Sequence, residues 1–500
     1  MNYRGVFYLL ARLLFALSLA LLPPAALSRL EGSGETRAFL ISSAIAASAG
    51  ILLGRISRTR VLGFERREAF LLVALTWLAA CVVGTLPYVL IKGPAFIVDG
   101  LFESVSGFTT TGASVIDDIE AESDALILWR SLTQWFGGMG IIVLGIALLP
   151  KLAVGGMQLM DAETPGPSSE KLTPRIARSA KLLWGAYFLL TGLALAALLL
   201  CGLSPFEAVN HAMTTVATGG FSTRNGSLAE FGGGVQWVVT GFMVLAGVNF
   251  ALHVHLLRGR PGRMLRDSEF RFYLLLLGAA TTLVLADLLL HTTIDSLGST
   301  LRDAAFQVAS LMTTTGFATA DFDRWPDFSR AILLMLMFVG GCAGSTSGSM
   351  KVVRVLVVLK RFRADIVRSI RPHGVFPVRV SGQPVEGEIA DQIQTFVLLF
   401  VGFFAVGTLA LTMTGLDPIS ALSAAVTSLA NVGPGLARVG PTHTMSGLPV
   451  VSKLILISLM IVGRLELYAV LVSLYLVRSP PAGRRRGRPG FSRARRRLAG

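Results

Sequence analysis

Hydrophobic positions come in long contiguous runs separated by short charged joints. Runs long enough to cross a bilayer fall near 6–28, 38–54, 68–91, 126–150, 180–203, 233–257, 272–292, 328–359, 390–416 and 449–477. Because about 20 apolar residues cover the hydrocarbon core, these runs predict about ten spanning helices. Between several of them lie shorter stretches rich in Thr, Ser and Gly, at 95–114, 204–223, 300–319 and 417–435. With roughly 12 apolar-type residues each, they are too short to cross and predict re-entrant segments.

The charged joints alternate in sign. The connections at 55–67, 171–181, 258–266 and 351–371 are strongly basic, whereas the alternate ones carry Glu31 and Glu35, then Asp117, Asp118, Glu120, Glu122 and Asp124, then Asp321, Asp323 and Asp327. Basic loops stay on the cytoplasmic side, so both termini are expected there and the four short stretches should dip in from outside.

Composition narrows the class further. Of 500 residues, 53% are hydrophobic and only 15% charged, where a soluble protein carries about a quarter charged. A soluble enzyme, a disordered chain and a disulfide scaffold are all excluded. Cys81, Cys201 and Cys342 lie in apolar surroundings and read as small core residues. The net charge is +15, and nine arginines without an acid fall between Arg478 and Gly500. Such a tail following a membrane span is expected to meet anionic lipid rather than nucleic acid. The N-terminal run could imitate a signal peptide, but Arg12 interrupts it and it is long, so an uncleaved helix is expected.

The four short stretches are copies of one pattern. Aligned on a glycine, they read GFTTTGAS at 107–114, VATGGFST at 216–223, LMTTTGFAT at 311–319 and SLANVGPG at 428–435. The aligned triplets are Thr110-Thr111-Gly112, Thr218-Gly219-Gly220, Thr314-Thr315-Gly316 and Asn431-Val432-Gly433. Upstream, Ser204, Thr300 and Asp417 stand at one aligned position and are good helix N-caps, with Phe96 in their place in the first copy. Pro205 and Pro418 follow two of these caps, and Asp99, Glu207, Asp303 and Ser420 occupy the capping-box position. Each stretch therefore predicts a short helix that ends just before a Thr/Gly segment. Four such helices aim their partially negative C-terminal ends at one point, which favours a cation. The Thr/Gly backbone then offers carbonyls in place of a hydration shell, and glycine supplies the backbone angles this needs.

With these motifs in place, the sequence resembles the Trk/Ktr/HKT superfamily of potassium-translocating subunits, and within it the TrkH branch. The resemblance covers about residues 1–477 and rests on the four triplets, on GGCAGSTSGSMK at 340–351 and on GRLELY at 463–468. It implies an all-α integral membrane protein with four M1-P-M2 pore-loop repeats around one pore, preceded by an extra N-terminal helix pair. On this scheme 1–60 is the helix pair, 61–155, 170–266, 267–371 and 385–477 are the repeats, and 478–500 is a basic cytoplasmic tail. The resemblance also implies potassium held at the triplet residues, a homodimer in the bacterial inner membrane, and a cytosolic TrkA-like regulatory subunit. A nucleotide (NAD or ATP/ADP) would enter only through that subunit, and no covalent cofactor is implied. Gly112 stands where sodium-selective relatives carry serine.

Two further features point to a gate. The run Gly340 to Gly348 cannot hold a regular helix well, so its freed carbonyls must face protein or water. A packing seam of small residues would explain its glycines but not its Ser-Thr-Ser cluster. An intramembrane loop of Gly344, Ser345, Thr346, Ser347 and Gly348, with Lys351 at its inner end, is expected to constrict the pore. The family carries its gate there. Arg464 lies within the last span and must face the interior; Glu466, two residues on, would point away from it on a helix. Arg464 is expected to be a barrier to cations beside the loop, the alternative being a buried ion pair with another helix. It reads as nearly alone among charges at membrane depth.

His253 and His255 diverge on a helix and lack partners for a metal site, while His211 reads as packed. No Walker loop or catalytic triad appears. The leading expectation is gated potassium uptake, the runner-up a potassium symporter driven by protons or sodium, and a multi-spanning enzyme stands third.

Overall fold

A computed structural model of the protein describes residues 3–57, 66–148, 172–292 and 296–467. The repeat boundaries near 60, 155 and 170 and the tail from Arg478 lie outside the described residues. α1 (Tyr3–Ala20) and α2 (Leu22–Glu31) run on as one apolar rod, and α3 (Thr36–Ile56) returns against it. Gly50 lets the two backbones approach, since a β-carbon there would sit 3.0 Å from the Ala11 carbonyl.

Then follow four groups, each containing a long helix, a short helix and a second long or broken helix. They are α4 (Arg66–Lys92), α5 (Ile97–Phe108) and α6 (Asp124–Leu148); then α7 (Leu172–Leu200), α8 (Pro205–Val216), α9 (Gly233–Ala246) and α10 (Phe250–Leu257). After the one-turn α11 (Pro261–Arg266) come α12 (Ser268–His291), α13 (Leu297–Met312), α14 (Asp327–Val339) and α15 (Val352–Ile370). The last group is α16 (Gly387–Thr412), α17 (Pro418–Ala430) and α18 (Val450–Arg464). A two-residue hairpin, β1 (Arg379–Val380) with β2 (Gln383–Pro384), precedes α16. In each group the helix that follows the short one packs on the next group's short helix: α6 on α8, α9 on α13, α14 on α17, and α18 on α5, which closes a ring.

The structure differs from the expected spans in several places. Six described helices are long and apolar enough to cross alone, and a seventh forms when the α9–α10 pair is counted as one. The run 233–257 is bent by 99° because Gly247 and Asn249 divide it. The carbonyl freed at Gly247 accepts from the Cys342 amide at 2.8 Å, and the Asn249 side chain caps Ala251 at 2.9 Å, so two of the groups freed at the break are taken up. The run 328–359 is broken at 340–351, as its glycines require.

At the caps, Ser204 and Asp417 accept from the amides of Glu207 and Ser420, as their spacing predicts. Thr300 does not cap. α13 starts one turn earlier, with Ser296 accepting from Ser299 at 3.1 Å, because a second good cap was available upstream. Cys81 and Cys342 are buried, but Cys201 is exposed at the end of α7, outside the packed core.

Candidate functional site

The short helices α5, α8, α13 and α17 end in one repeated turn. Thr110, Thr218, Thr314 and Asn431 all take the left-handed conformation, with φ of 52°, 52°, 57° and 56°. In each copy that residue's amide bonds back three residues and the next amide bonds back five: Thr110 to Gly107 and Thr111 to Ser106 in the first, Asn431 to Ser428 and Val432 to Thr427 in the last. This is a Schellman ending, which normally uses glycine at the left-handed position. A β-branched threonine is costly there, and three copies carry one. Spacing alone did not reveal this strain.

Two residues on, Gly112, Gly220, Gly316 and Gly433 have φ of 80°, 82°, 81° and 105°. A β-carbon on Gly112 would run into the carbonyl oxygen of Gly219, one on Gly220 into that of Thr315, one on Gly316 into that of Val432, and one on Gly433 into that of Thr111. The four triplets thus form a closed cycle in chain order. All twelve residues singled out from the sequence come together in it. Glycine is needed because the neighbouring segment's carbonyl stands where a side chain would go, in addition to the backbone angle.

Side chains brace the segments from behind. The hydroxyls of Ser106, Ser310 and Thr427 donate to the carbonyls of Ala113, Phe317 and Gly433 at 2.6, 2.6 and 2.7 Å. The second segment is held differently: the Gln134 amide donates to the Gly219 carbonyl at 2.6 Å and accepts from Phe221 at 3.1 Å. Behind the first segment, Glu103 on α5 is fully buried. It accepts from Ser114 at 2.6 Å and Val115 at 2.7 Å, and pairs with Arg130 on α6 at 3.2 Å. Arg130 also lies 4.1 Å over the Phe221 ring, so it ties the first segment to the second. Arg464 is therefore not nearly alone at membrane depth. The signal was present, since a charge inside a span must be partnered, but the pair itself is set by tertiary packing.

On one side of the ring lies a vestibule of ≈ 150 Å³ with the four glycines in its lining. Asp117, on its rim, accepts from the hydroxyls of Thr444 and Ser446, the latter at 2.6 Å. These hydroxyls hold its carboxyl below the usual carboxylate range. On the other side lies the segment 340–351. The Thr346 hydroxyl donates to the carbonyls of Val216 at 3.0 Å and Ala246 at 3.3 Å, and the Gly348 amide donates to the Thr314 hydroxyl at 2.7 Å. A β-carbon on Gly348 would run into the Ala430 carbonyl. The segment therefore touches the ends of α8, α13 and α17.

Arg464 completes the underside. It is 1% exposed and donates to the carbonyls of Thr346 at 3.0 Å and Gly137 at 3.2 Å. No carboxylate pairs with it among the described residues. The helix ends at Arg464, and Glu466 turns left-handed with φ of 53°, so the helical-wheel argument does not reach it. Glu466 pairs instead with Arg354 at 2.5 Å. Lys351 is buried with its ammonium on the Ser347 carbonyl. His211 and His253 are packed against backbone carbonyls, those of Glu207 and Leu245.

A profile described as TrkH, a cation transport protein, matches residues 35–480. The chain belongs to the TrkH family. Its relatives include the Trk system potassium uptake protein TrkH of Salmonella typhimurium, 38% identical over 479 residues, or 94% of this chain and 98% of that protein. TrkG of Escherichia coli K12, also named a Trk system potassium uptake protein, is 31% identical over 476 residues, covering 94% of this chain and 97% of its own. The crystal structure of the potassium transporter TrkH from Vibrio parahaemolyticus superposes with a TM-score of 0.88 at 33% identity, covering 96% of this chain and 99% of that one. The chain is an all-α multi-pass membrane protein of a transport family, not an enzyme.

Proposed function

We propose that the chain takes up potassium across the bacterial inner membrane through the ring of four triplets, with both termini in the cytoplasm. The observation that carries this reading is the cyclic packing of glycines on carbonyls, which sets four backbone segments around one axis. The C-terminal ends of four short helices face that axis and favour a cation, and the carbonyls of residues 110–112, 218–220, 314–316 and 431–433 are the groups to replace its hydration shell. In this reading the four repeats are 61–155, 170–266, 267–371 and 385–477.

In this reading the segment 340–351 and Arg464 form the gate. A guanidinium beside the pathway opposes a cation about 4 Å away by roughly 4 kcal/mol at an effective dielectric near 20. The loop adds a steric plug. Opening is then the task of a cytosolic TrkA-like partner, with nucleotide bound on that partner, and the chain acts as a homodimer.

Reversal potentials in proteoliposomes test the reading. A channel follows the potassium Nernst value, whereas a carrier coupled to protons or sodium shifts with those gradients. A current that ignores the potassium gradient altogether overturns it.

A further inference from the structure

Glu269 carries no motif and no periodicity that singles it out. It lies in the first turn of α12, is 2% exposed, and pairs with no cationic side chain among the described residues. The nearby cations are engaged elsewhere, Lys351 on the Ser347 carbonyl and Arg354 on Glu466. A buried carboxyl group needs hydrogen bonds to its oxygens. Those of Glu269 come from two backbone amides, Ala343 at 2.6 Å and Val353 at 3.1 Å, both on the same oxygen. These two amides sit at the two feet of the 340–351 segment, about ten residues apart along the chain and adjacent in space.

The turn that carries Glu269 is itself fixed. Asp267 caps it, accepting from Phe270 at 2.8 Å. Ser268 and Ser381 exchange amide-to-hydroxyl bonds at 3.0 Å each, and the Ser381 hydroxyl donates to Asp267 at 2.9 Å, so the β1–β2 hairpin braces the turn from the other side. The two ends of the loop therefore rest on one held carboxyl oxygen, and a displacement that carries Ala343 and Val353 away from it removes both of its donors.

We propose that Glu269 is a positioning residue that latches the 340–351 loop in its closed arrangement. This rests on the gate reading above. Shutting the loop gives the carboxyl oxygen both of its donors, and opening it takes them away, so the latch favours the closed state. Glu269 touches no permeating ion; it acts through the loop's backbone.

The test is rubidium uptake into liposomes by the full chain, without any cytosolic partner, with insertion checked. The parent is compared with Glu269→Ala, Glu269→Gln, a chain lacking 345–348, and the double change of Glu269→Ala with the shortened loop. Losing two hydrogen bonds of this kind corresponds to a rise on the order of tenfold in basal uptake for Glu269→Ala. Glu269→Gln, which keeps an acceptor oxygen, should fall between it and the parent. The rubidium-over-sodium ratio should stay at the parental value in both, which a general loosening of the ring would not allow. The double variant should take up no more than the shortened loop alone. Parental uptake in Glu269→Ala beside raised uptake in the shortened chain overturns the latch and leaves the gate standing. If Glu269→Ala fails to insert, parental uptake in Glu269→Gln overturns it equally. Parental uptake in the shortened chain overturns the gate reading, and the latch with it.

Discussion

The guanidinium of Arg464 donates to the Thr346 carbonyl at 3.0 Å, so the last helix holds the loop through a neutral oxygen. Among the described residues no carboxylate pairs directly with the arginine, which sits at the gate proposed above. Removing either element should raise rubidium flux, and the two changes should be non-additive, because a pathway opened by one gains little from the other. Flux in Arg464→Ala, in the chain lacking 345–348 and in the double variant checks this. Parental flux in Arg464→Ala would mean that the residue only packs the loop.

Gly112 has a left-handed φ of 80° and no space for a β-carbon against the Gly219 carbonyl. Gly112→Ser should push the second segment outward and lower the rubidium-over-sodium flux ratio, with Gly316→Ala behaving alike at the Val432 carbonyl. Equal ratios in mutant and parent would contradict the cyclic packing as the source of discrimination.

Glu103 and Arg130 form an ion pair with both side chains at most 1% exposed. Breaking such a pair from one side costs roughly 3–5 kcal/mol, while replacing both partners is far milder. Glu103→Gln should therefore lower the thermal midpoint of the detergent-solubilised protein more than Glu103→Gln with Arg130→Met. The opposite order would show that the pair does not act as a unit.

Asp117 is bound by Thr444 and Ser446, which keep its carboxyl below its ordinary value of 3.8. A depressed carboxylate contributes stability that is fully present above the ordinary value and lost as pH falls through the lower folded one. The stability difference between parent and Asp117→Ala should be constant from neutral pH to pH about 5 and shrink only below about 4. Thermal melts across that range check it; a difference that shrinks between pH 7 and 5 would assign the link to another group.

The sequence made the fourfold pattern legible because it is local: caps, a short apolar helix and a glycine recur at fixed offsets. Ser204 and Asp417 cap as their spacing says, and the break at 340–351 follows from its glycines. What escaped is what depends on partners far along the chain. Ser296 displaced Thr300 because two good caps compete within one turn. The bend at Gly247 is stabilised by the amide of Cys342 on another element. Glu103, Gln134 and Glu269 each answer to a group that no local periodicity reveals.

The ring closes between the first and last segments. The Asn431 amide donates to the Thr111 hydroxyl at 3.0 Å, across 320 residues of chain, and Gly433 covers the Thr111 carbonyl. A ribosome adding about 5–20 residues per second needs on the order of 15–60 s to make that stretch. Throughout that interval the first segment sits in the bilayer with its partner not yet synthesised. Biogenesis therefore passes through an unclosed three-quarter ring whose open seam runs between α5 and the place α18 will fill. A chain that stops before the fourth repeat keeps that seam open and leaves Thr111 without the groups that cover it in the finished ring.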